Sequence, residues 1–249
     1  MKRQTAYAVI PYLRDLPLFS DMPACELERL SEDCIVRQAS RGELLFQAGD
    51  PCDELHAVIS GQVKLFVLAA NGQEKVLDLI RPGQAFAEAL MFSNLPYLVN
   101  AQALVDTTLL TVGRSAIMRE LDANHRFALR MLSGISDSLN RLTHDVECYT
   151  LHSGMQRVIE YLLSDDTPAL PCSFEQAPRQ RTITLPVSKA TLASRLSVTP
   201  EYFSNVLHEL IEHGLIEVDK RHIHICDTEQ LSQYTVSHAR RVTQTPHCA

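Results

Sequence analysis

The chain has 249 residues, 45% of them hydrophobic and 21% charged, and carries a net charge of −7. That length accommodates one large or two modest domains with real cores, and the composition is that of a globular protein, not a fibrous or low-complexity one. Its apolar runs fall short of the ~18 residues that a membrane span needs, and the acidic balance excludes nucleic-acid binding over the whole surface while leaving room for a local basic edge.

The N-terminal stretch MKRQTAYAVIPYLRDLPLF is interrupted by Arg14 and Asp15 and is followed by no small-residue cleavage site. It reads as mature protein, and a cytoplasmic location is expected. The cysteines (Cys25, Cys34, Cys52, Cys148, Cys172, Cys226, Cys248) are odd in number and scattered, with no C-x-x-C pair. Reduced thiols are expected, and no structural metal site.

Between residues 36 and 112 the sequence alternates short β runs with turns: 43–46, 56–59, 63–67 and 108–112, punctuated by Gly49, Gly61, Gly72 and Gly83. Asn71-Gly72 is a strong hairpin turn because both residues tolerate positive φ. Short, evenly spaced strands predict an antiparallel roll.

From about residue 115 the period changes. Ala128, Leu132, Ile135, Leu139, Leu142, Val146 and Tyr149 follow one another in steps of four and three. Such a stripe suits either a helix buried in its own domain or a coiled coil with a second copy; the regular 3.5-residue period favours the copy. A hinge at His152-Ser153-Gly154 precedes a second helix over 154–163. The stretch 164–180, with Pro168, Pro171 and Pro178, predicts a surface loop, and Arg181 to Leu185 a short strand ending at Pro186.

The segment from Ser188 onwards predicts a helix-turn-helix. Ser188 is a good N-cap, Leu192, Ala193 and Leu196 share a face, and Ser197-Val198-Thr199 makes the turn. Thr199 caps a second helix with Pro200 in its first position, where a missing N–H is harmless. Phe203, Val206, Leu207 and Leu210 form the buried stripe, leaving Glu201, Tyr202, Ser204, Asn205 and His208 outward for base edges. Gly214 closes this helix. Residues 215–218 and 222–225 then form a hairpin whose tip, Asp219-Lys220-Arg221, reads as a wing able to touch phosphate, with Lys189 nearby. His222-x-His224 is explained by strand alternation, not metal.

The expected fold is α+β: an antiparallel, jelly-roll β-roll sensor over 1–122, a dimerisation helix over 123–151, a winged helix-turn-helix over 152–232 and a tail over 233–249. This order resembles the cyclic-AMP-receptor/fumarate-nitrate-reduction (Crp/Fnr) family of regulators over residues 17 to 232. The resemblance rests on Leu18-Phe19, the run from Gly42 to Asp50, Ile59-Ser60-Gly61-Gln62-Val63-Lys64 and the run from Gly83 to Ala89. Residues 72–77 and 86–92 look most like the dissimilative nitrate respiration regulator branch. The resemblance implies a homodimer along the heptad stripe, a palindromic DNA site and activation through RNA polymerase.

The chain departs from the family pattern in three ways. Nucleotide-binding members carry an arginine about ten residues after the glutamate matching Glu88, yet no Lys, Arg or His occurs from Pro82 through Gly113; a buried phosphate would be poorly compensated. Cluster-bearing members have closely spaced N-terminal cysteines, unlike Cys25, Cys34 and Cys52. Members reading TTGAT carry Glu-x-x-Ser-Arg, whereas this helix has Asn205 in place of the arginine; asparagine suits adenine, so the half-site is in doubt at one base pair.

An apolar effector pocket is therefore expected from Phe86, Ala87, Glu88, Leu90, Leu98, Val99 and Asn100, with Leu132 and Ile135 from the helix. Haem and nitric-oxide sensing is the leading expectation, with His56, His125 and His144 as candidate axial ligands. A cyclic nucleotide, another small ligand or no ligand remain open. A cupin-like enzyme is the rival class, but it needs several histidines inside the roll and only His56 lies there.

Overall fold

The computed structural model describes residues 9–93, 95–164 and 179–234. Cys172, Cys248, the proline-bearing stretch and nearly all of the expected tail lie outside these residues. The chain divides into two compact units, Met1–Leu142 and Thr143–Ala249.

In the first unit, short helices α1 (Ile10–Asp15) and α2 (Ala24–Ser31) precede the strands β1 (Cys34–Ala39), β2 (Leu44–Phe46), β3 (Glu54–Ser60), β4 (Val63–Leu68), β5 (Glu74–Ile80) and β6 (Ala85–Phe86). Helix α3 (Glu88–Ser93), strands β7 (Asn100–Ala103) and β8 (Thr107–Gly113) and helix α4 (Arg114–Ala123) follow. The strands form two antiparallel four-stranded sheets, β1-β8-β3-β6 and β2-β7-β4-β5, the expected roll. Interior strand β8 is rich in Thr, Leu and Val, which suit a pleated, buried surface, and Leu109, Leu110 and Val112 are all in the core. The four predicted punctuating glycines all have positive φ. At Gly61 the requirement is double: φ is +92°, and a Cβ would lie 2.6 Å from the Thr107 Cα.

Helix α4 is the element the sequence hid. Its buried face includes Glu120, which breaks the apolar periodicity, and Arg29 of α2 neutralises that carboxylate through a bidentate contact at 2.6 and 2.8 Å.

Helix α5 (His125–Leu151) is continuous. Asn124 caps it, its Oδ1 accepting from the Phe127 N–H at 3.1 Å. Phe127 and Met131 enter the core of the first unit. The heptad stripe is a different face: Leu132, Leu139, Leu142 and Val146 are 57–63% exposed. Of the two readings of the stripe, burial within its own domain is therefore excluded for these four residues.

The second unit contains the last turns of α5, α6 (Gly154–Leu163), β9 (Arg181–Thr184), α7 (Lys189–Arg195), α8 (Pro200–Glu212), β10 (Ile216–Asp219) and β11 (His222–Ile225). A capping box fixes the start of α6: Ser153 Oγ accepts from the Gln156 N–H, and the Gln156 side chain accepts from the Ser153 N–H. The three strands pair in the order β10-β11-β9, and α8 packs on α6, α7 and β10.

Candidate nucleic-acid interface and sensor cavity

Helix α8 is amphipathic in the way the sequence predicts. Phe203, Val206, Leu207 and Leu210 are at most 2% exposed, while Glu201, Tyr202, Ser204, Asn205 and His208 all face solvent. Thr199 Oγ1 accepts from the Tyr202 N–H at 3.1 Å, with Pro200 in the first turn. On α7, Ser188 caps in the same manner, accepting from Thr191 at 3.1 Å, and Lys189 follows it, exposed. Ala193 is fully buried near the turn, where a larger side chain would hold the helices apart.

Two outward residues are less free than expected. The Tyr202 ring lies over Gly154, where a Cβ would come within 2.6 Å of the ring, so it packs against α6 as well as facing solvent. Ser204 Oγ donates to the Pro200 carbonyl at 2.9 Å.

The wing is a tight hairpin. Asp219 pairs with His222 across the strands, and Lys220 takes φ +55° at the tip beside exposed Arg221. His222 and His224 bond the hydroxyls of Thr184 and Thr182, at 3.0 and 2.9 Å, which accounts for the pair by strand register.

Two cations near this edge are structural. Arg195 grips Asp145 with both carboxylate oxygens at 2.8–2.9 Å and also bonds the Tyr149 hydroxyl. Arg181 donates to the Leu163 and Ser164 carbonyls, closing the end of α6. Tyr149, assigned from the sequence to the dimer stripe, is thus tied into the second unit and bonds the Arg195 carbonyl as well.

In the sensor unit the residues expected to line an apolar pocket take several different environments. Phe86 stacks in a buried aromatic group with Phe46 and His56, and Tyr97 stacks on Phe46. Leu98 is 60% exposed. Leu90 and Val99 pack on the core, and Ala87 sits at a left-handed turn with φ +69°. Asn100 bonds backbone at Ala48 and Phe66. Leu132 and Ile135 belong to the heptad stripe. Of the expected lining, Glu88 borders the cavity that the structure does show.

A cavity of about 270 Å³ lies instead between the Leu16–Phe19 segment, the Gly83–Ala85 turn with Glu88, and the N-terminal half of α5. Arg130, Ser133, Asp137, Ser138 and Arg141 line it. The Nη2 of Arg130 is buried and has no hydrogen-bond partner among the described residues, while its Nε donates to the Leu18 carbonyl at 3.1 Å. Burial pushes the Glu88 carboxyl above its ordinary range, against smaller opposing contributions from Ser138 and Arg141. These arginines lie outside residues 82–113 because α5 supplies them. The helix face left over by the heptad stripe was the available signal.

Haem does not fit these residues. His56 is 5% exposed, and both its ring nitrogens are engaged, Nδ1 with Thr111 at 3.3 Å and Nε2 with Tyr97 at 2.9 Å. Burial, with a smaller contribution from Arg37, lowers its pKa to about 4. His125 and His144 are exposed, and among the described residues no histidine or cysteine lines the cavity. The volume also falls below the ~300 Å³ at which ligand pockets commonly begin.

A sensor roll, a long helix and a winged helix-turn-helix with its reading face free define a DNA-binding regulator. Known proteins agree. Residues 36–124 match the cyclic nucleotide-binding domain, and residues 156–234 match the Crp-like helix-turn-helix domain. The chain is 26% identical over 227 residues to the "Probable transcriptional regulator flp" of Lacticaseibacillus casei, covering 91% of this chain and 96% of that one. It is 30% identical to the sensor domain of the transcriptional regulator DNR from Pseudomonas aeruginosa, covering 59% of this chain and 98% of that one, with a TM-score of 0.50. FixK2 from Bradyrhizobium japonicum shares the fold, with 19% identity, 80% and 96% coverage and a TM-score of 0.67. This chain belongs to the Crp/Fnr family of transcription regulators.

Proposed function

We propose that the protein acts as a homodimer on palindromic DNA and activates transcription through RNA polymerase, with a small effector in the sensor unit controlling the placement of its two recognition helices. The observation that carries this reading is α8, whose buried stripe leaves Glu201, Asn205 and His208 exposed on one face. Glu201 suits cytosine N4 and Asn205 adenine. Lys189, Lys220 and Arg221 supply phosphate contacts that position the module without reading sequence. The exposed stripe of Leu132, Leu139, Leu142 and Val146 supports dimerisation, since burying such a row against a second copy removes contiguous apolar surface from water.

For the effector, the Arg130 guanidinium at a small cavity of mixed polar and apolar lining favours a compact ligand with an anionic or hydrogen-bond-accepting group. That chemistry replaces the haem and nitric-oxide expectation. The likeness to the DNR sensor domain supports the branch assignment but not the cofactor.

Analytical ultracentrifugation paired with DNA-binding titrations tests the proposal. Wild type should sediment as a dimer and bind a selected palindrome, and Leu139→Asp should give a folded monomer with DNA affinity lowered at least roughly tenfold. A Leu139→Asp protein that still sediments as a dimer contradicts the interface.

A further inference from the structure

The end of α5 carries a donor set that the DNA-reading function does not use. His144, Cys148 and His152 recur every four residues, which places them along one helical face; the His152 N–H still donates to the Cys148 carbonyl at 3.2 Å, so the spacing stays helical to the last of them. Glu160 of α6 faces the same point. Its carboxylate lies 2.8–2.9 Å from His152 Nδ1 and 3.7 Å from Cys148 Sγ, and His144 Nε2 lies 3.5 Å from that sulfur. The donor atoms of Cys148, His152 and Glu160 all fall within 4.8 Å of one another.

We propose that Cys148, His152 and Glu160, with His144 as the fourth ligand, form a zinc site that ties the end of the long helix to the first helix of the DNA-binding unit. The geometry is that of ligands around one ion. Tetrahedral zinc, with bonds of about 2.0–2.3 Å, holds neighbouring donor atoms about 3.3–3.6 Å apart. The two sulfur contacts with His144 and Glu160 already have nearly that separation, and the His152–Glu160 pair need open by only about half an ångström. A plain ion pair would need His152 and Glu160 alone; the thiol beside them, with a second imidazole 3.5 Å from its sulfur, is what a thiolate-preferring cation explains.

Access is available, because the His152 and Glu160 side chains are 25% and 39% exposed and His144 is more exposed still. The capping box at Ser153 holds the turn between the ligands of α5 and the one on α6. Binding is balanced simply: zinc displaces the thiol proton to solvent and takes neutral imidazoles and a carboxylate. No C-x-x-C spacing is involved, so a paired-cysteine pattern does not reveal it.

The test uses the full-length protein, stripped with chelator and reduced. Zinc titrated against a chromophoric competitor should bind at one equivalent per chain, and Co²⁺ in its place should give a thiolate-to-metal charge-transfer band with tetrahedral d–d absorption. Cys148→Ser should abolish the charge-transfer band and weaken zinc binding roughly a hundredfold. His144→Ala should retain the charge-transfer band but weaken binding less, while Cys25→Ser should change nothing. A Co²⁺ spectrum with octahedral oxygen-type bands and no charge transfer overturns the site without reliance on any variant. So does zinc affinity that Cys148→Ser leaves intact in a protein with wild-type circular dichroism.

Discussion

The buried imidazole of His56 makes the sensor unit acid-sensitive by a predictable amount. The ordinary value of 6.5 falls to about 4 in the folded protein, so the unfolded chain binds the extra proton throughout that window. A folded-state pKa below the unfolded one means that stability is lost as pH falls from 6.5 towards 4. Each pKa unit is worth about 1.4 kcal/mol, so moving from pH 7 to pH 4.5 should remove between about 2 and 3 kcal/mol through this residue alone. Carboxylates titrate over the same range, and the comparison with His56→Gln isolates the histidine. The variant is less stable at pH 7, because Thr111 and Tyr97 lose their partner; its loss between pH 7 and 4.5 should nevertheless be smaller than that of wild type by the stated amount. Urea unfolding followed by far-ultraviolet circular dichroism at both pH values measures the double difference. Equal acid losses in the two proteins would mean that His56 is not a neutral core residue, and would reopen its candidacy as a ligand.

Glu88 has the opposite sign. Its folded-state pKa lies above the ordinary 4.5, so the charged form opposes folding as pH rises through and beyond that value. Glu88→Gln should raise the thermal midpoint at pH 8, with the difference closing at pH 4; calorimetry across pH checks this, and a gap that is constant with pH refutes it. Ser153→Ala breaks the capping box and should destabilise the second unit by about 1 kcal/mol, read as a lower urea midpoint at unchanged slope.

Much of the architecture could be read from pattern because it follows single, uninterrupted periods. The glycine-punctuated roll, the helix carrying the heptad stripe and α6 at residues 154–163 all emerged in this way. The caps Ser188 and Thr199 and the apolar stripe of α8 obey local rules that tertiary packing did not override. Features made by contacts between distant segments stayed hidden. Helix α4 was masked by Glu120, whose burial only Arg29 makes tolerable. The cavity's arginines come from α5, more than forty residues after Glu88, so no local pattern joins them to it. Arg195 carries no local sign of its pairing with Asp145, which lies fifty residues earlier. His56 looked like a free ligand until Tyr97 and Thr111 closed on both its nitrogens.

The central claim is that α8 reads base sequence through its exposed N-terminal face. Selection from a randomised DNA pool with wild type and Glu201→Ala tests this most directly. Wild type should enrich an inverted repeat with half-sites about one helical turn apart. Glu201→Ala should relax one base position in each half-site, at about 1–3 kcal/mol of discrimination, while Lys220→Ala lowers affinity for all sequences alike and flattens the salt dependence. An enriched motif that is identical for wild type and Glu201→Ala would contradict the account.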